Sequence, residues 1–216
     1  MCGVADAGVQ VDHIVIGVRD LDNAEALFED RYGLTTIEGG RHPGWGTANR
    51  LVPLGAAYLE LVTVVDQAEA SSSDFGRWVS SMLEGNSRFG CAVRTDDLDS
   101  TAARLGLEVA EGSRRSRDGQ LLQWRIAGVA QAARDNSLPF FIQWGAGTPL
   151  PGRATVVHRA GDVVLGELTI NGNERRLHEW LGTSSLPIRV TPGTQGVARF
   201  TVLTSTNTIV VNPDDW

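Results

Sequence analysis

The chain has 216 residues, 42% of them hydrophobic, enough to bury a substantial core in one large or two small units. A net charge of −7 and an isoelectric point near 5.1 exclude the basic face that a nucleic-acid partner demands. All 19 basic residues are arginine, which excludes Schiff-base chemistry and a lysine general base.

Residues 1–10 carry no charged, apolar and small-residue leader and read as a flexible N-terminus; with no apolar run near the roughly 20 residues that span a bilayer, this predicts a cytoplasmic protein with no membrane partner. Residues 11–18 are β-branched and apolar and read as a buried strand. Asp20 and Asp22 offer an N-cap before Ala24, Leu27 and Phe28 at helical spacing, and Gly33 closes that helix. Strands are predicted over 34–38, 47–54 and 57–65, with Gly55 in the last turn. Between the first two, residues 39–46 are rich in glycine and proline and read as a loop carrying Arg41, His42 and Trp45.

Ser73 and Asp74 then open an amphipathic helix over 74–84, whose Phe75, Trp78, Val79 and Met82 read as core. A second unit spans 88–145, with a strand at 88–94, a helix at 97–105 and strands at 107–111, 121–127 and 138–144; its basic run at 113–119 reads as a solvated hairpin connection. Cys91 lies in an apolar strand and Cys2 in the N-terminal segment, so both read as reduced thiols, Cys91 as a small buried hydrophobe. After a Gly/Pro-rich linker at 145–152, a third βαβββ-like unit fills 153–212: strand 162–170, a helix with Leu177, Trp180 and Leu181 on one face, and strands 186–191, 197–204 and 208–211.

Asp12-His13-Ile14-Val15-Ile16-Gly17-Val18, the stretch from Gly40 to Asn49, and Tyr58-Leu59-Glu60-Leu61 together resemble the glyoxalase-like branch of the vicinal oxygen chelate superfamily. The resemblance implies an α+β fold in which βαβββ modules, here 11–65 and 88–145 linked by helix 74–84, pair into a cupped mixed sheet over 11–146. It also implies a divalent metal (zinc, manganese, nickel or iron) held by the first and last strands of each module. His13 and Glu60 occupy those places in the first module. Aligning the modules on Asp20-Leu21-Asp22 and Asp97-Leu98-Asp99 sets Gly90 opposite His13 and either Gln143 or Ile142 opposite Glu60, so two expected ligands are missing. Gln143 supplies a carbonyl oxygen to the metal in this reading, and His42 is a further candidate.

Each residue also has a blander reading. A histidine on an apolar strand is most often a hydrogen-bonded core residue, and Glu60 could face solvent rather than the cup. Arg41 and His42 could be surface loop residues, although Trp45 and Asn49 beside them make a compact set for ligand contact. His158 and His178 read as structural or exposed. The unpaired third unit either extends an open sheet edge, where a second copy could pair to give a homodimer, or covers the cup.

Two functions follow. In the first, a metal on His13, Glu60 and Gln143 polarises a carbonyl or enolate oxygen while Glu60 or His42 moves the proton, giving a lyase or isomerase. Arg41, Trp45, Asn49, Trp124 and Trp144 would contact the substrate. In the second, the cup sequesters a small molecule among Trp45, Tyr58, Trp124 and Trp144 without a metal.

Overall fold

The computed structural model describes residues 8–85, 88–116, 119–182 and 185–215. The first module runs β1 (Gln10–Gly17), α1 (Leu21–Leu27), β2 (Ile37–His42), β3 (Thr47–Leu54) and β4 (Ala57–Val64). The Asp20 carboxylate caps α1 by accepting from the Asn23 amide; a π-helical turn, Phe28–Tyr32, continues it until Gly33 at φ 66° ends it. Two helices follow, α2 (Gln67–Ser71) and α3 (Asp74–Glu84), and then β5 (Phe89–Arg94) and α4 (Leu98–Leu105). The pattern of α1 repeats in α4, capped by Asp97 and closed by left-handed Gly106. The second module ends with β6 (Val109–Arg115), β7 (Leu121–Ala127), α5 (Val129–Arg134) and β8 (Phe140–Trp144).

These eight strands form one mixed sheet in the order β2-β3-β4-β1-β5-β8-β7-β6. Within each module the first and last strands lie side by side and parallel, β1 with β4 and β5 with β8, and the modules meet where β1 pairs antiparallel with β5. The sheet curls until its two edge strands nearly meet, and Arg114 of β6 donates through Nη1 to the Gly39 carbonyl of β2 across the gap. The result is the cupped α+β sheet that the βαβββ pattern implies.

Alternation sorts the side chains by face. Ile14, Ile16, Leu59, Leu61, Phe89 and Phe141 face outward into the larger core, whereas Val15, Val62, Ala92, Phe140 and Ile142 face the concave side. There α3 lays Phe75, Trp78, Val79 and Met82 into the cup and fills much of it.

The outer face is covered by the C-terminal unit, built from β9 (Val163–Asn171), α6 (Glu174–Leu181), β10 (Ile188–Thr191), β11 (Gly196–Thr204) and β12 (Thr208–Val211). Its four strands make a separate sheet, β10-β9-β11-β12. The order of elements is βαβββ, but the pairing is not that of the cup modules: β9 lies parallel to β10 directly and β12 ends at the far edge. Leu168, Ile170, Phe200 and Val202 share one core with Ile14 and Phe89, and the Phe89 and Phe200 rings lie 5.5 Å apart. This unit therefore neither extends the open edge of the cup nor covers its mouth.

Several boundaries differ from the sequence expectation. Residues 39–42 are not loop: β2 runs through them with a bulge between Glu38 and Gly40, and a side chain on Gly39 would collide with the Asn49 amide. The turn is confined to residues 43–46. The strand predicted at 107–111 starts later and continues through Arg115, inside the stretch read as solvated. Helix α5 was not foreseen, being a six-residue segment after Gly128 whose buried faces, Val129 and Ala132, are too few to show a period.

Candidate active site

Inside the cup, His13 of β1, Asn49 and Leu51 of β3, Tyr58 and Glu60 of β4, and Phe140 and Ile142 of β8 line one small cavity of about 30 Å³, enough for a water or two. His42 and Trp45 enter from the end of β2 and its turn, Phe75 from α3, and Arg114 and Trp124 from β6 and β7. The turn at 43–46 is held by α2: Arg41 pairs with Glu69 at 2.8 Å and Asp66 at 3.3 Å, the Gly44 amide donates to Glu69, and left-handed Gly46 packs against the α2 backbone where a side chain would clash.

Two hydrogen-bond chains converge in this cavity. The first begins at Asp12, which is buried although it adjoins His13 in a strand. A bulge in the β1–β5 pairing between Val11 and His13 leaves Asp12 as the extra residue, so it can turn to the same side as His13. Its Oδ1 lies 2.7 Å from His13 Nδ1, and its Oδ2 accepts from Arg94 Nη1 and Trp144 Nε1, each at 3.1 Å. Arg94 thereby balances the Asp12 charge, and Asp12 fixes the imidazole with Nδ1–H toward itself and Nε2 toward the cavity. Tyr58 stacks on the ring at 4.5 Å and Phe140 meets its edge.

The second chain runs Thr47, His42, Asn49, Glu60. His42 Nδ1 lies 2.9 Å from Thr47 Oγ1, and Asn49 Nδ2 lies 3.2 Å from His42 Nε2 and donates to Glu60 Oε1 at 2.5 Å. Burial pushes the His42 imidazole down to about 4, with the Arg114 and His13 charges pushing the same way against Glu60, so His42 is neutral near pH 7. The chains meet where His13 Nε2 stands 3.5 Å from Glu60 Oε2. With Nδ1 committed to Asp12, Nε2 is the ring atom that faces Glu60.

Arg114 was missed by the sequence reading. It is 6% exposed, and burial pushes its guanidinium below the usual arginine range, against the pull of Tyr58 and Glu60. The available signal was register: Arg114 pairs with Leu122 and Gly112 with Trp124, so Arg114 shares the inward face of Leu122 and Trp124.

The structure brings His13, His42, Trp45, Asn49, Glu60, Trp124 and Trp144 to one cavity. It does not bring Arg41 or Gln143 there. Arg41 points outward, since β2 continues through it and alternation then buries His42 instead. Gln143 lies on the face opposite Ile142 and Trp144, donating to the Asp96 carbonyl at 2.5 Å and accepting from Arg125 at 3.3 Å.

The donor set does not fit the metal that the resemblance implies. At the second-module positions stand Gly90 and Phe140, not Gln143 or Ile142, since β5–β8 pairs Arg94 with Ile142 where β1–β4 pairs Gly17 with Val62; any side chain on Gly90 would run into the Trp78 indole, which occupies that space. Asn49 places an N–H donor between Glu60 and His42, where a cation would need a lone pair. Among the described residues no group of three or more His, Cys, Asp or Glu side chains is placed to hold a metal ion, whereas a catalytic zinc normally takes three protein ligands.

A family model described as a glyoxalase-like domain matches residues 11–185. The chain belongs to this glyoxalase-like family. The match spans the segments around His13 and Glu60 that carry the glyoxalase-like resemblance. Among solved structures, a hypothetical protein from Staphylococcus aureus is similar over 94% of this chain and 98% of its own, with a TM-score of 0.67 and 14% identity. The shared fold therefore includes the C-terminal unit. Methylmalonyl-CoA epimerase from Mycobacterium tuberculosis is similar over 65% of this chain and 91% of its own (TM-score 0.46, 21% identity). A Streptomyces coelicolor methylmalonyl-CoA epimerase variant in complex with 2-nitronate-propionyl-CoA matches over 64% and 98% (TM-score 0.45, 21% identity). No curated relative matches the sequence.

Proposed function

We propose that this glyoxalase-like protein is an isomerase-type enzyme that moves a proton on a small carbonyl compound using its own side chains. The observation that carries this reading is the meeting of two buried chains at His13 Nε2 and Glu60 Oε2. Glu60, fixed by Asn49, takes the proton from the carbon beside the carbonyl. The electron pair moves onto the carbonyl oxygen, in a low-dielectric cavity where the nearby Arg114 charge favours a developing anion. The proton passes from Glu60 to His13, whose imidazolium Asp12 stabilises, and from there to the enolate oxygen or back to carbon, so protons and charge balance over the cycle. Asp12, Asn49 and His42 position these two groups. The small cavity means that Trp45, Trp124 or Trp144 must shift to admit more than a two- or three-atom head group.

The test is incubation of a panel of small ketones, keto acids and keto amides with the protein in D2O, following loss of the α-proton signal by NMR. Exchange by the wild type and its loss in Glu60→Gln and His13→Gln supports the reading. Undiminished exchange in both variants would contradict it. Sequestration without turnover is the second reading, favoured by the wall of Trp45, Phe75, Trp124 and Trp144, and it predicts saturable binding with no exchange.

A further inference from the structure

Arg114 raises a question that the proton relay does not answer, namely why a guanidinium is buried at the cavity wall with so few partners. Among the described residues its hydrogen bond is the single one that Nη1 donates to the Gly39 carbonyl, and it forms no ion pair. Other buried charges in this fold are matched closely: Asp12 by Arg94, Asp135 by Arg176. The carboxylate that acts on Arg114 is Glu60, and Glu60 directs its oxygens to Asn49 and His13. A guanidinium carries five N–H donors in a planar fork; Nη1 of Arg114 is engaged by Gly39, whereas Nε and Nη2 have no protein partner among the described residues and are not sealed from solvent, so they are available to a bound anion.

Directly outside the cavity lies an open groove of about 480 Å³, bounded by Pro43, Ser113, Gln123 and Gly145. Trp124 and Trp144, with ring centroids 5.7 Å apart, belong to both spaces and form the partition between them. Trp144 is itself tethered to Asp12 through its indole N–H, so movement of the partition connects to the His13 chain.

We propose that Arg114 is a specificity residue that receives a carboxylate, and that the substrate class is small keto acids whose charged head passes between Trp124 and Trp144 while any larger tail stays in the groove. A planar carboxylate matches the Nε/Nη2 edge of one guanidinium through two parallel N–H···O bonds, whereas a phosphate dianion would call for a second cation that the cavity wall does not hold. This deepens the proton-transfer reading and rests on it for the word substrate, but the binding claim stands on Arg114 alone.

The experiment measures binding of pyruvate, 2-oxobutanoate and acetoacetate against their neutral amides by quenching of tryptophan fluorescence, in wild-type protein and in Glu60→Gln. The expected result is saturable binding of at least one acid, with its amide weaker by roughly tenfold to a hundredfold, the range for a hydrogen bond to a charged group. The preference persists in Glu60→Gln, shrinks in Arg114→Lys and vanishes in Arg114→Met. Equal binding of acid and amide by the wild type, or no saturable binding of any of the three acids, overturns the proposal without relying on a variant that must fold. Selective acid binding with no deuterium exchange would instead retain this inference and reject the proton-transfer reading.

Discussion

His42 shows how a single buried residue ties the site to stability. Its imidazole ordinarily takes a proton near 6.5, but burial in the cup holds that value down to about 4. Between those two values the unfolded chain binds a proton here and the folded chain does not. The stabilisation is therefore complete above pH 6.5 and declines as the pH falls toward 4, by roughly 3 kcal/mol over the whole window. Urea denaturation at pH 7 and pH 4.5 should show a marked loss in the wild type and a smaller one in His42→Gln; equal losses would mean that His42 is not held neutral. The same scale shows what the sequence could reveal. Parity along a strand decided which of the strand-borne candidates face the cavity and which do not. His13 and Glu60 face the cup because their strands alternate without interruption toward Val15 and Val62. Gln143 fails because Ile142 and Trp144 own the inward parity, and Arg41 fails because His42 does. Asp12 could not be placed from its neighbours, since only the bulge in β1 turns it to the side of His13.

At the scale of elements, α3 explains the missing ligands. This helix lays Trp78 across β5, and Gly90 is the residue that lets it do so. Absence of a side chain at Gly90 is thus a packing requirement of α3 rather than a gap in a metal site. Gly90→Ala should destabilise the protein by about 1–3 kcal/mol through overpacking. In a Trp78→Leu background the same substitution should cost much less, and a double-mutant cycle from denaturant curves reads the coupling. Additive costs would place Trp78 elsewhere. The amphipathic pattern of α3 was legible in the sequence, as were the cap at Asp20 and the closing glycine Gly33. The side of the sheet on which α3 docks was not legible, because an apolar stripe says that a helix is buried and leaves open against which face.

For the whole molecule, the decisive feature is one core shared by the outer face of the cup and the C-terminal sheet. Sequence order suggested a third copy of the module, yet strand pairing is a non-local property, and β9 chose β10 where β1 had chosen β4. The C-terminal sheet braces the rear of β1 and β5, the strands that carry His13 and Gly90. Phe200→Ala, which removes the ring packed on Phe89, should cost about 3–5 kcal/mol and shift one cooperative transition for the entire chain. A separate early transition would show that the two sheets melt independently. Among the described residues no helix is long and apolar enough to cross a membrane.

The central claim is that proton transfer rests on Glu60 and His13 and not on a bound cation. The most direct measurement is deuterium exchange into an accepted carbonyl compound by exhaustively chelated protein, repeated after adding zinc, manganese, nickel or iron(II). The account predicts the same rate in every sample and loss of exchange in Glu60→Gln. Exchange that disappears on chelation and returns with one of the metals would contradict it.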